Sequence, residues 1–404
     1  MKRNLIYFLL IILMIGCERS GDVIAPLESE LGKIIDYEKV ASYDSGLLKT
    51  LAAEYDNVNI SKITAGKIIH GVEVYKLIYN TVGYDNKIEL ASGVVFIPIG
   101  ANNLSTISIQ HGTQANRNRV GSINPLFAFE GLIAAALGYY ACEPDYLGLG
   151  ISKTAHPYHH YKTSANTVID FLRAAKEFAN IRNLKLNGKL FLAGYSEGGY
   201  VTMAAQKEIE LNYKHEFNIT ASAPMAGAYD LELTAGKILE NDNYPQPAFL
   251  AYLIYAYSKI YNWNDLNYFF NEPYASAIPQ LFDGSKNTGK INESLPTDLK
   301  ALLAPEFLTS IRNKTEKRLL PRLKENSLIN WTPSAPMRLY HGNKDDFVPV
   351  ENSYMAYDYF TTRGGDVELI IIPNGTHYTS AIPAIIDLIP WFDSFNQSQF
   401  YVLN

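Results

Sequence analysis

Lys189-Leu-Phe-Leu-Ala-Gly-Tyr-Ser-Glu-Gly-Gly-Tyr-Val-Thr-Met-Ala-Ala-Gln206 is the stretch from which the rest of the chain can be read. Leu190 to Ala193 is a short apolar run, Gly194-Tyr195-Ser196-Glu197-Gly198 interrupts it, and a helix-forming segment follows at once. That order predicts a strand, a sharp turn and a helix. Glycines two before and two after Ser196 leave room where the strand runs into the helix, so Ser196 can take a strained conformation with its hydroxyl exposed. Its oxygen would then lie over the positive end of the helix, where developing negative charge is favoured. The pentapeptide by itself is common by chance, so its surroundings carry the inference.

The chain has 404 residues, 47% hydrophobic and 19% charged, enough for one large domain with an insertion. A net charge of −6 without a basic cluster argues against nucleic acid as a partner. With only two cysteines, Cys17 and Cys142, there is no disulfide framework. Cys142 falls in an apolar strand pattern and reads as a small buried hydrophobe. Cys17 is different. Met1 to Asn4 is a short basic start, Leu5 to Ile15 is an apolar run of 11 residues, and Gly16-Cys17 closes it. The run is too short to span a bilayer and fits an export signal. Leu13-Met-Ile-Gly-Cys17 resembles the lipobox of bacterial lipoproteins, which implies cleavage before Cys17, lipid on that cysteine and tethering to the cell envelope. An ordinary signal peptide and an uncleaved anchor are the other readings. Residues 1–16 are thus expected as signal peptide and 17–41 as a polar tether.

From Val74 onward strand signals follow quickly. Val74 to Tyr79 and Ile88 to Ile97 flank the turn-rich Gly83-Tyr84-Asp85-Asn86 and predict an antiparallel pair. Thr106 to Gln110 is a third strand, ending in His111-Gly112-Thr113. Phe127 to Leu137 reads as a helix and Tyr139 to Glu143 as a strand running into the glycine-bounded loop 144–150. Ala165 to Asn180 carries Val168, Phe171, Leu172 and Ala175 on one face and predicts a helix covering the sheet. Ile219 to Met225 is a further strand. The segment 229–332 then lacks a strand ladder and is aromatic in its first half, which predicts a helical insertion with some rings lining an apolar pocket. Strand signals resume at Pro336 to Tyr340, a helix covers Glu351 to Thr361, Val367 to Ile372 is the last strand, and a helix over Ile382 to Phe395 closes the chain. The core is expected in two parts, 42–228 and 333–404.

A serine hydroxyl needs a base to take its proton and a carboxylate to hold that base in one tautomer. Ser196, Asp345 and His377 each fall just past an expected strand end, so all three belong on one edge of a parallel sheet. Their order along the chain is that of hydrolases built on such a sheet. Other histidines have plainer readings: His111 and His341 precede glycines at strand ends as structural groups, and the run from His156 to His160 lacks the companions of a metal site. Asp145 has two open roles, orienting the loop at Gly112 or capping a turn.

These segments resemble the α/β-hydrolase superfamily from about Val74 to the C-terminus. More narrowly they resemble its secretory lipases and esterases, on Gln110-His-Gly-Thr113, Glu143-Pro-Asp-Tyr-Leu-Gly-Leu-Gly150, Gly194-Tyr-Ser-Glu-Gly-Gly199 and His341-Gly-Asn-Lys-Asp-Asp-Phe-Val-Pro349. The resemblance implies a mostly parallel central sheet with helices on both faces and a helical cap inserted before the penultimate strand. It selects Asp345 over Asp346 as the carboxylate, and it implies an oxyanion hole from the backbone N–H groups of Thr113 and Glu197, with Gly112 adjacent. The expected function is cleavage of small, apolar or aromatic carboxylic esters without a cofactor. A serine peptidase and a non-catalytic binding module on the same fold are the alternatives.

Overall fold

The structure, a computed structural model, describes residues 28–54 and 67–397. Cys17 and the export-signal and lipobox residues lie outside them.

Nine strands form one sheet among the described residues: β1 (Ile34–Tyr43), β2 (Val72–Val82), β3 (Ile88–Pro98), β4 (Leu104–Gln110), β5 (Tyr140–Pro144), β6 (Leu186–Tyr195), β7 (Ile219–Met225), β8 (Met337–Gly342) and β9 (Val367–Ile372). Their order across the sheet is β1-β2-β3-β5-β4-β6-β7-β8-β9. The pairs β1–β2, β2–β3 and β3–β5 are antiparallel, and every pair from β5–β4 onward is parallel. The sheet is therefore an antiparallel meander joined to a parallel array. In the array the chain ends of β4, β6, β7, β8 and β9 share one edge.

Helices cover both faces. On one lie α1 (Ser45–Glu54), α2 (Phe129–Ala136) and, late in the chain, α13 (His377–Gln397). On the other lie α3 (Tyr161–Ile181) and α4 (Glu197–Glu208). Side chains alternate across a strand, and β6 displays this plainly. Phe191 and Ala193 join the cluster that holds Leu132, Leu388 and Phe392, whereas Leu190 and Leu192 join the cluster with Val168 and Val201. Being buried on both faces explains why this strand reads as a continuous apolar run.

Between β7 and β8 the chain forms α5 (Leu231–Leu239), α6 (Pro247–Ile260), α7 (Tyr274–Leu281), α8 (Thr288–Asn292), α9 (Leu299–Leu302), α10 (Pro305–Arg312) and α11 (Leu319–Glu325). After β8 comes α12 (Glu351–Thr361). Many aromatics of the inserted segment are used up in packing. Tyr257, Phe269 and Phe270 are at most 1% exposed and belong to the same cluster as Leu192 and Val201, so the insertion and that face of the sheet share one core.

Two expectations are corrected. The stretch 17–41 is not a tether throughout, because Ile34–Tyr43 is the edge strand β1, paired along β2. Five consecutive residues of it, Ile35 to Lys39, are exposed, so its composition resembles a linker while its backbone completes the sheet. The closing helix starts at His377 rather than at Ile382. Helix α1 had no counterpart in the sequence reading.

Candidate active site

Ser196 has φ 62° and ψ −122°, a strained conformation for a residue with a side chain. The backbone around it leaves no alternative to glycine at two positions. A Cβ at Gly194 would lie 2.4 Å from the carbonyl oxygen of Gly198, and one at Gly198 would lie 2.0 Å from that of Gln110. The Ser196 N–H donates to the carbonyl of Met225 at 2.9 Å, which holds the turn against β7. These contacts turn the serine side chain out of the sheet edge at the start of α4.

His377 reaches it from the first residue of α13. Its Nε2 lies 2.8 Å from Ser196 Oγ, and its Nδ1 lies 2.7 Å from Asp345 Oδ2. A carboxylate only accepts, so Nδ1–H donates to Asp345 and Nε2 is left to accept from the serine hydroxyl. The ring is 5% exposed and packed between neighbours. Tyr195 donates its hydroxyl to the His377 carbonyl at 2.6 Å, and the Phe347 ring centroid stands 4.9 Å from the imidazole.

Asp345 lies three residues past β8 with its side chain fully enclosed. Oδ1 accepts the N–H groups of Phe347 and Val348 at 2.9 and 2.8 Å. Burial pushes its carboxyl up, but hydrogen bonds and charge from His341 and His377 outweigh that and hold it well below the usual carboxylate range. Asp346, the other acid of the segment, is exposed and offers only a long contact to the His377 N–H at 3.4 Å.

Gly112 and Thr113 follow β4 beside the elbow: a Cβ at Gly112 would lie 3.9 Å from that of Ser196. The hydroxyls of Thr113 and Tyr158 are 3.0 Å apart, and Tyr252 of α6 donates its hydroxyl to the carbonyl of Gln114 at 3.2 Å. The loop is thus held from the inserted segment as well as from the sheet. Glu197 opens α4, where the first N–H groups have no partner within the helix. Asp145 meets the loop at Gly112 through its backbone, at His111, while its side chain is bonded elsewhere. Its carboxylate accepts from Ser92 Oγ at 2.5 Å and from the Ser122 N–H at 3.2 Å, while its carbonyl accepts from His111 Nε2 at 3.1 Å.

Two partnerships escaped the sequence reading. His341, read as structural, bonds Ser353 and the Val348 carbonyl and also lies 3.3 Å from Asp345 Oδ2. His156 lies 2.7 Å from the buried carboxyl of Glu197. The first had a local signal, a spacing of four residues; the second joins positions 41 apart and had none. Among the described residues no group of three His, Cys, Asp or Glu can hold a metal ion, and no helix is long and apolar enough to cross a membrane.

The family model of secretory lipases matches residues 128–246. Lipase 9 of Candida albicans is 24% identical over 270 residues, covering 63% of this chain; the chain spans only 55% of that lipase's own length. Among solved structures, a protein from Legionella pneumophila superposes with a TM-score of 0.84 at 28% identity, over 92% of this chain and all of its own. The rice cell wall degrading esterase LipA from Xanthomonas oryzae superposes with a TM-score of 0.78 at 27% identity, over 90% and 96% of the two chains.

Proposed function

We propose that this chain, an α/β-hydrolase of the secretory lipase and esterase kind, cleaves carboxylic esters through an acyl-enzyme, with Ser196 as nucleophile, His377 as base and acid, and Asp345 as its orienting carboxylate. The observation that carries this reading is the unbroken hydrogen-bond chain from Ser196 Oγ through His377 to Asp345. Ser196 Oγ attacks the ester carbonyl carbon as its proton passes to His377 Nε2. The carbonyl oxygen becomes an oxyanion held by the N–H groups of Thr113 and Glu197, with Gly112 giving the loop room. Collapse of this intermediate expels the alcohol, which leaves with the proton from His377 Nε2. A water molecule repeats the sequence on the acyl-serine, giving the carboxylic acid and restoring the hydroxyl. Asp345 stays ionised and stabilises the imidazolium at each stage.

The segment 229–332 serves as the cap over this edge, between the core parts 42–228 and 333–404. Its aromatic character favours an ester with an apolar or aromatic acyl or alcohol part. Export is expected from the likeness to secretory lipases, and lipid attachment at Cys17 would tether the enzyme to the envelope.

Hydrolysis of p-nitrophenyl esters from acetate to palmitate by the protein and its Ser196→Ala variant tests this. The expected result is measurable turnover that falls at least about a thousandfold in the variant, with a chain-length profile that sizes the pocket. Absence of turnover by a folded protein on every ester, with cleavage of a peptide chromogen instead, would replace the reading by a serine peptidase.

A further inference from the structure

The side chain of Glu197 is an ionisable group at the elbow that the steps of ester cleavage leave unused. It is 2% exposed, Oε1 lies 2.7 Å from His156 Nε2, and Oε2 has no hydrogen-bond partner among the described residues. His156 Nδ1 lies 2.7 Å from the carbonyl oxygen of Leu147, which only accepts, so Nδ1 carries a proton. Nε2 and Oε1 then need a second proton between them, held by either the ring or the carboxyl. In both arrangements the pair is electrically neutral.

No other titratable group among the described residues hydrogen-bonds to this carboxyl, so the others act on it only through space. Burial pushes His159 down to about 4, leaving it neutral near pH 7. His111 turns its ring nitrogens to the carbonyl oxygens of Gly112 and Asp145. Tyr146, Tyr158, Tyr200 and Tyr252, all raised well above the usual phenol range by burial, surround Glu197 as neutral hydroxyls.

We propose that His156 is a positioning residue for the oxyanion hole, neutralising the Glu197 side chain so that the Glu197 N–H meets developing negative charge without an opposing buried carboxylate beside it. This rests on the ester-hydrolase reading. An uncompensated anion in a low-dielectric site repels an oxyanion formed at the neighbouring backbone far more than it would in water. The loop that supplies His156 also carries Tyr158, which stacks on Tyr252 of α6 at 4.8 Å and meets the Thr113 hydroxyl. The neutralising group and the two sides of the oxyanion hole are therefore mechanically joined.

The test compares wild type, His156→Gln, Glu197→Gln and the double variant on one p-nitrophenyl ester. In His156→Gln burial pushes the carboxyl up and the partner that held it down is lost, so relative to wild type kcat falls about 30- to 100-fold on the alkaline side, where the carboxylate is ionised, and recovers toward acid, while KM stays within about threefold. In the double variant the side chains are neutral amides, and kcat recovers at least about tenfold over His156→Gln. A double variant no faster than His156→Gln overturns the proposal. If His156→Gln does not fold, His156→Asn takes its place in the same comparison: recovery of kcat by at least about tenfold on adding Glu197→Gln supports neutralisation, and no recovery overturns it. The rate at which a fluorophosphonate labels Ser196 in the same proteins must follow the same ranking, since it also builds charge in the oxyanion hole. That ranking in a protein that cleaves no ester would sink the ester reading alone; ester turnover without the rescue would sink only the role of His156.

Discussion

The carboxyl edge of the sheet and the helical segment inserted between β7 and β8 are both aromatic and largely buried, yet they depend on their side chains in opposite ways. At the edge, strand ends bring single atoms to within 2.7 and 2.8 Å of one another, and little of the surrounding packing depends on those atoms. In the insertion, Phe269 is fully buried against Trp263, Tyr268 and Phe307 at ring distances of 4.8 to 5.3 Å, and no one polar contact defines its place. Hydrogen-bond geometry concentrates function in a few atoms, whereas dispersion and burial spread stability over many. The same burial therefore means precision in one region and cohesion in the other.

The sharpest way to break this contrast is at the carboxylate. Asp345→Asn should lower kcat/KM by about 10³- to 10⁴-fold by spoiling the tautomer of His377. Asp346→Asn, next in the chain but exposed, should stay within about threefold. Equal losses in the two would mean that the edge does not concentrate function in one oxygen pair. Next in size, Phe269→Ala should lose about 3–5 kcal/mol in denaturant unfolding while the kcat of the folded fraction stays within about threefold. A large kcat loss at unchanged stability would make the insertion part of the catalytic edge.

The smallest effect lies where the two regions meet. The carbonyl of His159 accepts the hydroxyls of Tyr200 in α4 and Tyr257 in α6, at 2.9 and 3.0 Å, and its buried ring is held down to about 4. An unfolded histidine titrates near 6.5, so as pH falls the unfolded chain takes the proton first. The contribution of the ring to stability is complete above about pH 6.5, is lost between about 6.5 and 4, and is level below. His159→Asn, which suits the observed φ of 52°, should flatten the loss of stability over that window by up to about 1.4 kcal/mol per pH unit. An unchanged slope would mean that the junction opens enough to solvate the ring.

What could be read without coordinates was whatever leaves a local trace. Apolar runs between turn residues marked Ile219–Met225 and Val367–Ile372, and the glycines around Ser196 marked the turn, because backbone sterics and side-chain periodicity act over a few residues. The placing of Ser196, Asp345 and His377 at strand ends followed from the same signals, since parallel strands share one edge. Tertiary structure decided the rest. β1 is held by backbone pairing with β2, for which an exposed edge strand needs no apolar pattern. The aromatic rings of the insertion were recognisable as buried, but whether they face a substrate or one another depends on helix packing, and Phe269 faces other rings. The pairing of His156 with Glu197 depends on where a loop after β5 meets the first turn of α4, a contact between distant segments that residue types and spacing along the chain do not encode.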